Sequence, residues 1–408
     1  MKKILSALLA ASMVFGAAVP TAADPQNYAI QANAADEYTE GTYDVLTYKN
    51  YGDYIEISDC DSSATSVEIP SVIDGVPVTS IGELAFSGCS ALTSIIIPDS
   101  VTSIGGHAFS DTPWLEAKQK ENPLVIVNNI LIDGSTCSGD IVIPDSVTSI
   151  GDWAFYQCYD LTSITIGNSV TSIGVGAFNQ CHGLTSVIIP ESVTSIGNGA
   201  FYRCSGLTSV IIPDSVTSIG DSAFDDTPWL ESKREENPLV IVNNILIDGS
   251  TCSGDIVIPD SVTSIGNGAL YGCSGLTSVA ISNSVTSIGA GAFYDCNNLT
   301  YITIENPDCD IYDTSQTISN GYNIENSDYD FNGTIYGYTD STAQTYAENT
   351  DIILNLSARL PLQSGAMQTK TEQPTWTTLS PYSARQADLQ PCPNRARSTP
   401  ISTRTATV

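Results

Sequence analysis

Residues 161–183 read LTSITIGNSVTSIGVGAFNQCHG, and the pattern of this segment recurs in phase from about residue 64 to about residue 305. The shared template is LxxIxIxxSVxxIGxxAFxxCxx. The isoleucine of its SIG element recurs in steps of 23 residues, apart from two steps of 46, at Ile81, Ile104, Ile150, Ile173, Ile196, Ile219, Ile265 and Ile288. A fixed period of this length is typical of a solenoid, in which each unit buries its apolar side chains against its neighbours.

The beginning of each unit predicts a strand. In LTSITI, Leu161, Ile164 and Ile166 alternate with Ser163 and Thr165. This period of two places the apolar side chains inward and the hydroxyl side chains outward. The glycine after SIG permits a bend, and we expect the phenylalanine that follows to fill the core between turns.

Two units depart from the template in the same way, at residues 111–144 and 226–259, which are 115 residues apart. Each begins with TPWLE, where a threonine before a proline predicts the start of a helix. Each continues with PLVIVNNILI, which predicts a hairpin that turns at Asn128-Asn129 or Asn243-Asn244. Because the polar helical run takes the place of the usual strand, we expect these units to protrude from the stack.

The repeats divide the chain into five segments. The N-terminal and C-terminal flanks of the array show strand-like patterns without the repeat, as expected for caps that cover the apolar ends of a solenoid. The last segment has no periodicity and a positive charge, which predicts disorder or an aberrant, frame-shifted end. The predicted segments are a signal peptide (1–34), an N-terminal cap (35–80), the repeat array (81–305), a C-terminal cap (306–350) and the tail (351–408).

The first residues predict export. Lys2 and Lys3 precede an apolar run over residues 4–18 and then small residues, which is the pattern of a secretory signal peptide. No later segment reaches the roughly 18 consecutive apolar residues of a transmembrane helix. We therefore expect the protein to be secreted or held at the cell surface after removal of the signal peptide, with no transmembrane segment.

The charge of the chain excludes one class of partner. The sequence has 14 Lys and Arg against 45 Asp and Glu, a net charge of −31. Residues 36–350 contain only six of these basic residues and 41 of the acidic ones. Such a surface repels phosphate backbones, so a nucleic-acid partner is not expected.

Six cysteines occupy one repeated position near the end of the template. In this position we expect small buried apolar side chains. Because stacked strands lie about 4.8 Å apart, disulfides between neighbouring turns are an alternative that spacing leaves open. The six are Cys89, Cys158, Cys181, Cys204, Cys273 and Cys296.

The template resembles the leucine-rich repeat pattern LxxLxLxxNxLxxLxxxxFxxLxx, with serine at the asparagine position and cysteine at the last apolar one. The more specific consensus, LTSVIIPDSVTSIGxxAFxxCSGL, is similar to the repeats of the BspA-like bacterial leucine-rich repeat family over residues 64–305. This resemblance implies an α/β repeat solenoid of 23-residue units, right-handed and curved, with short parallel strands on its concave face, turns and few short helices. It also implies an exported protein that binds proteins or mediates adhesion, without shared catalytic residues.

The sequence contains no pattern of an enzyme site. The only histidines, His107 and His182, lie at different repeat positions, so they form neither a metal pair nor part of a catalytic triad. We expect both to be exposed. No G-x-S-x-G segment or phosphate-binding loop accompanies a strand. The prediction is therefore a protein that is not an enzyme and has no cofactor and no metal.

The predicted partner is an extracellular or surface protein, host-derived proteins included, and a glycan is the alternative. In that alternative the chain is a non-catalytic carbohydrate- or cell-wall-associated module of a polysaccharide-degrading system, and a structural surface-layer component is a third hypothesis. Trp114 and Trp229 either anchor a partner or pack within their own irregular units. The candidate partner-binding residues are Trp114, Trp229, Ser163, Thr165, Ser186, Ile188, Ser209 and Ile211.

Overall fold

The computed structural model describes residues 38–323, 328–350 and 352–357. These residues form a β-solenoid of about 13 turns of roughly 23 residues, with few helices, which confirms the predicted repeat solenoid. The predicted signal peptide lies outside the described residues, as does nearly all of the predicted tail. None of the helices in the described ranges is long and apolar enough to cross a membrane.

The elements follow one another in three groups. The first group contains β1 (Thr39–Tyr43), β2 (Leu46–Asn50), β3 (Ile55–Cys60), β4 (Ser66–Glu68), β5 (Val72–Ile73), β6 (Val76–Ile81), β7 (Ser94–Ile96) and β8 (Ser103–Ile104). The second contains α1 (Pro113–Glu121), β9 (Val125–Val127), β10 (Ile130–Asp133), β11 (Gly139–Val142), β12 (Ser149–Ile150), β13 (Leu161–Thr165), β14 (Ser172–Ile173), β15 (Ser186–Ile188), β16 (Ser195–Ile196), β17 (Ser209–Ile211) and β18 (Ser218–Ile219). The third contains α2 (Pro228–Glu236), β19 (Val240–Val242), β20 (Ile245–Asp248), β21 (Ser253–Ile258), β22 (Ser264–Ile265), β23 (Gly275–Ile281), β24 (Ser287–Ile288), β25 (Tyr301–Ile304), β26 (Asp310–Ile311), β27 (Gly321–Asn323), β28 (Asp328–Asp330), β29 (Thr334–Tyr338), α3 (Thr342–Asn349) and β30 (Ile353–Ser357).

Each regular turn contributes two strands, one to each of two columns of parallel strands. The LxxIxI strands form the sheets β11-β13-β15-β17 and β21-β23-β25-β29-β30, which we call the long-strand face. The SIG strands form the second column with β10, β20 and β26, in the parallel orders β18-β16-β14-β12-β10 and β20-β22-β24-β26, and β9 and β19 add to β10 and β20 in an antiparallel manner. Equivalent residues of successive units pair with each other, as Ile188 does with Ile211. The 23-residue period of the sequence is therefore the register of the sheets.

The segment between the SIG strand and the next long strand is built from consecutive turns. In the unit of Phe155, the backbone N–H groups of Trp153, Phe155 and Gln157 donate to carbonyl groups of the next turn at 2.7–2.9 Å. Trp153 and Gln157 have φ values of 60° and 58°, a conformation that non-glycine residues rarely adopt. In the next turn, the residue equivalent to Trp153 is a glycine, Gly176. The N–H group of every second residue thus donates to the next turn, so the turns are joined by backbone hydrogen bonds here without a regular strand.

Phenylalanine side chains from these turns stack along the core. Phe155, Phe178, Phe201 and Phe224 have successive ring-centroid distances of 5.0, 5.1 and 5.3 Å and lie within 10° of parallel. All four are at most 2% exposed. The predicted phenylalanine core is therefore confirmed.

The two irregular units have the same local structure. In the first, the Thr112 side chain caps α1 by accepting from Leu115 N at 3.1 Å, and Pro113 begins the helix. The predicted hairpin is confirmed, because β9 and β10 pair in an antiparallel manner and both Asn128 and Asn129 have positive φ. Since β10 also pairs with β12 in the SIG column, the hairpin lies within the stack. The expectation that it protrudes is wrong, because its second strand replaces a SIG strand.

The ends of the solenoid differ from its middle. Strands β1, β2 and β3 form an antiparallel meander that joins β6, within the segment predicted as an N-terminal cap. At the other end, α3 buries Tyr346, and β30 pairs in parallel with β29. The prediction of a tail without structure from residue 351 is wrong for β30. Apolar and polar residues alternate over the last four positions of ILNLS, and β30 pairs with the edge of β29.

The cysteine column packs as single thiols. All ten cysteines in the described part of the chain are buried and free, which favours the small buried side chain over the disulfide. The thiols of the repeated column lie against backbone carbonyls of the preceding turn: Cys181 Sγ donates to Phe155 O at 3.1 Å, and Cys204 Sγ donates to Phe178 O at 3.0 Å. Cysteine therefore combines a small volume with a weak hydrogen-bond donor at this position.

We expect the thiols of the folded protein to resist alkylation and disulfide exchange. Burial raises the pKa of Cys158 and of Cys296 to about 12, from an ordinary value of 9.0. At pH 8 the reactive thiolate of these two residues is thus nearly absent, and burial of all ten sulfurs keeps the reagent away. The measurement is a thiol titration of the Cys392→Ser variant, which removes the cysteine outside the described residues. No rapid reaction is expected in buffer, and ten thiols should react in denaturant without reductant. A count below ten would show disulfides.

Candidate functional site

The long-strand face places the predicted candidate residues side by side. Ser186 pairs with Ser209, and Ile188 pairs with Ile211. Ile188 and Ile211 are 63% and 56% exposed, although both are aliphatic. Val187, the residue before Ile188 on the same strand, faces the core and is 1% exposed. The alternation predicted from the sequence therefore holds, and it leaves aliphatic side chains in solvent.

The aliphatic positions continue into the neighbouring strands. Thr165 pairs with Val142 on one side and with Ile188 on the other. Val142 is 66% exposed, Thr165 is exposed, and Ser163 is half-buried. The positions from Val142 to Ile211 thus form an uncharged row across four strands, and the row beside it consists of Asp140 on β11 and serines on the other three strands. We call this set the aliphatic row.

Trp114 and Trp229 do not belong to the surface. Their side chains are 8% and 6% exposed. The indole of Trp114 lies 4.7 Å from the ring of Phe109, and that of Trp229 lies 4.6 Å from Phe224. Each tryptophan therefore continues the phenylalanine stack where the helix of an irregular unit replaces a strand. Buried indoles cannot anchor a partner, so both are withdrawn from the candidate surface.

A cavity of about 290 Å³ lies beside α1 in the first irregular unit. Of the aromatic side chains that line it, three contact one another: His107, Trp153 and Tyr156. Their ring centroids are 5.9 Å apart from His107 to each of the other two, and 5.3 Å from Trp153 to Tyr156. His107 was expected to be exposed, and that expectation is wrong. The side chain is half-buried, because the regular turn that would cover Trp153 is replaced by the irregular unit.

Acidic side chains share this cavity. Asp133, at the end of β10, accepts from Gln119 Nε2 at 3.1 Å and from the Ser135 backbone N–H at 3.2 Å. Burial raises the pKa of Asp133, while these hydrogen bonds act in the opposite direction. Burial lowers the pKa of His107 despite nearby carboxylates, so the ring is neutral at pH 7. The cavity therefore combines neutral aromatic rings with a carboxylate whose partners in the described residues are neutral groups.

The second irregular unit provides an internal comparison. Gln119 corresponds to Arg234, 115 residues further along the chain. The guanidinium group of Arg234 makes two hydrogen bonds of 2.8 Å to Asp248, which is the equivalent of Asp133. It also pairs with Glu231 at 2.6 Å and with Asp225 at 3.6 Å. In the second unit, Arg234 thus pairs with carboxylates on the side of the helix where the first unit has the cavity.

The residues of the cavity were not predicted from the sequence. A comparison of the two duplicated segments could have indicated these residues, because the segments are nearly identical and differ at only a few positions. Between them, Gln119 changes to Arg234, and Trp153 changes to Gly268. Gln119 and Trp153 both line the cavity, and only the folded chain shows that they do so.

Several solved structures are similar to the chain. A leucine-rich cell surface protein from Faecalibacterium prausnitzii A2-165 is 23% identical, with 80% of this chain and 97% of that chain covered and a TM-score of 0.29. A leucine-rich repeat protein from Bacteroides ovatus is 20% identical, with 80% and 100% covered and a TM-score of 0.27. No curated protein sequence matches the chain.

The family is shown by the repeats themselves. Six copies of the BspA type leucine-rich repeat region match residues 58–131, 133–252 and 241–332. These matches cover more than half of the chain and include both irregular units. The solenoid with its 23-residue register, the phenylalanine stack and these matches agree, and the chain belongs to the BspA-type leucine-rich repeat family.

Proposed function

We propose that the protein is exported, is secreted or held at the cell surface, and binds an extracellular or surface protein through its long-strand face, thereby mediating adhesion. The partner can be host-derived. The observation that carries the proposal is the aliphatic row, in which Ile188 and Ile211 are more than half exposed on adjacent strands. Repeat proteins use such extended faces to bind polypeptides.

The chemistry of the row favours a protein over a charged ligand. The outward residues of β13, β15 and β17 are serine, threonine and isoleucine, without a lysine, arginine or carboxylate. Aliphatic side chains gain free energy when a partner removes them from water, at about 25 cal/mol per Å² of apolar area. A sugar ring would gain more from aromatic platforms, which these three strands lack. The proposal concerns binding, and no catalytic step is part of it.

Replacing Ile188 and Ile211 together by glutamate is expected to weaken binding of the protein partner at least tenfold, because two buried charges would oppose the contact. The change should leave stability nearly unaltered, since both side chains are exposed. The measurement is surface plasmon resonance of the full chain against a panel of extracellular-matrix proteins, bacterial surface proteins and glycans.

The matched control adds the same charges elsewhere. Thr194 and Thr217 are exposed beside the SIG strands, so Thr194→Glu/Thr217→Glu should bind as the unaltered chain does. Equal binding by the Ile188→Glu/Ile211→Glu variant would exclude the long-strand face as the site. Binding of glycans alone would instead support the carbohydrate-associated module.

A further inference from the structure

The first irregular unit lacks a cation where the second irregular unit holds one. In the second unit, the Arg234 guanidinium lies among the carboxylates of Asp248, Glu231 and Asp225. The equivalent residues of the first unit are Asp133, Glu116 and Ser110, and all three line the cavity beside α1. Gln119, at the arginine position, is also among the lining residues. The cavity is therefore lined by the residues equivalent to those that surround the Arg234 guanidinium, with the shorter Gln119 side chain bonded to Asp133.

The walls of this space suit a cation better than a neutral or anionic ligand. Asp133 supplies a carboxylate whose hydrogen-bond partners are the amide of Gln119 and the groups of Ser135. Glu116 and Asp111 add carboxylates where the cavity meets solvent, since both residues are exposed. No lysine or arginine of the described ranges forms an ion pair with Asp133. An anion would be repelled here, and a cation would be attracted.

Two of the three aromatic residues have no aromatic counterpart in the second unit, which keeps a tyrosine at the position of Tyr156, namely Tyr271. Trp153 and Tyr156 meet edge to face at 5.3 Å, and His107 stacks against Trp153 at an interplanar angle of 21°. Aromatic faces attract guanidinium groups, and the contact is strongest for tryptophan. At the position of Trp153 the second unit has Gly268, and at that of His107 it has Ser222. The first unit thus has an indole and an imidazole that the second unit lacks, and it has no built-in arginine.

We propose that the cavity of the first irregular unit binds a guanidinium group, supplied by an arginine side chain of a partner polypeptide. The carboxylate of Asp133 accepts its N–H donors, as Asp248 accepts those of Arg234, and the indole of Trp153 packs against its face. A volume of about 290 Å³ is at the lower end of ligand pockets, which fits one side chain better than a large molecule. This site goes beyond the proposed function, because it lies on the irregular unit and not on the aliphatic row.

The test uses the full chain and arginine probes. N-acetylarginine amide and a short peptide with one central arginine are titrated into the protein by calorimetry, with the quenching of tryptophan fluorescence as a second readout. Each probe has a citrulline counterpart, which keeps the shape and loses the charge. We expect both arginine probes to bind and the citrulline probes to bind at least about tenfold more weakly, because the charge-assisted hydrogen bonds are lost. Tighter binding of the peptide indicates a polypeptide as the source, and equal binding indicates a free small molecule.

Two variants locate the site. Gln119→Arg rebuilds the arrangement of the second unit and should abolish binding, because the new arginine occupies the cavity. Asp133→Asn should weaken binding at least about tenfold. The matched control is Glu121→Gln, which removes a negative charge from the same helix at an exposed ion pair with Lys118 and should change little. No binding of either arginine probe up to about 10 mM would overturn the proposal, as would unaltered binding by the Gln119→Arg variant.

Discussion

Replacement of Phe201 by alanine is expected to lower the free energy of unfolding by about 4 kcal/mol. The ring lies between Phe178 and Phe224, at centroid distances of 5.1 and 5.3 Å, and is fully buried. Alanine would leave a cavity in the middle of the stack, and each neighbouring turn would lose contacts on one side. Since each turn of a solenoid contacts only its neighbours, no other part of the chain replaces these contacts. The measurement is equilibrium unfolding in urea, followed by circular dichroism.

Two further substitutions show whether the loss comes from the stack. Phe201→Leu should cost clearly less than Phe201→Ala, because leucine already occupies the equivalent buried position at Leu270. Ile188→Ala should change the free energy of unfolding by less than about 0.5 kcal/mol, since that side chain is exposed. A loss below about 1 kcal/mol for Phe201→Ala would show that the stack contributes little to stability.

Arg234→Gln is expected to lower the free energy of unfolding by about 3 kcal/mol at pH 7. The side chains of Arg234 and Asp248 are only 17% and 8% exposed, and two hydrogen bonds join them. Burial by itself would lower the pKa of Arg234, but the carboxylates of Asp248, Glu231 and Asp225 raise it, so the guanidinium is charged. Its removal would leave the Asp248 carboxylate buried without a cation. The measurement is again unfolding in urea, and the dependence of the free energy of unfolding on urea concentration is compared between variants.

A second substitution separates the lost charge pair from lost packing. The double variant Arg234→Gln/Asp248→Asn removes both charges, so it should be more stable than Arg234→Gln alone. Lys233→Gln serves as the surface control, because its ion pair with Glu236 is exposed and contributes at most about 1 kcal/mol. Equal stability of the single and double variants would mean that the unpaired carboxylate is not the cause of the loss.

Most of the fold could be predicted because its information is local and repeated. The alternation in LTSITI is sufficient to orient a strand, and the Asn-Asn pair is sufficient to turn a hairpin. The repeat supplies the register, since equivalent residues such as Ile173 and Ile196 pair one period apart. The end of the array was predicted less well, because β30 has no repeat and forms only where β29 offers an edge.

For the same reason, some candidate-site residues were predicted correctly and others were not. The outward residues of the long strands follow from the period of two, so Ile188 and Ile211 were assigned correctly to the strand surface. Trp114 has no such pattern, and its burial depends on its contact with Phe109 across the beginning of α1. His107 meets Trp153 although two repeat lengths separate them, because an irregular unit lies between their turns. The repeat positions of His107 and Trp153 do not by themselves predict a contact across an intervening unit.

The sequence by itself determined the solenoid, its 23-residue period, the inward and outward sides of its strands and the position of the two irregular units, since all of these depend on side-chain pattern and turn chemistry. The tertiary structure alone decided which side chains the irregular units bury and which spaces they leave. The duplicated segments are almost identical, yet one holds Arg234 against Asp248, and the other leaves a cavity beside Asp133. The difference arises because a single residue on the helix meets side chains from the turns before and after it, and only the packed chain brings these together.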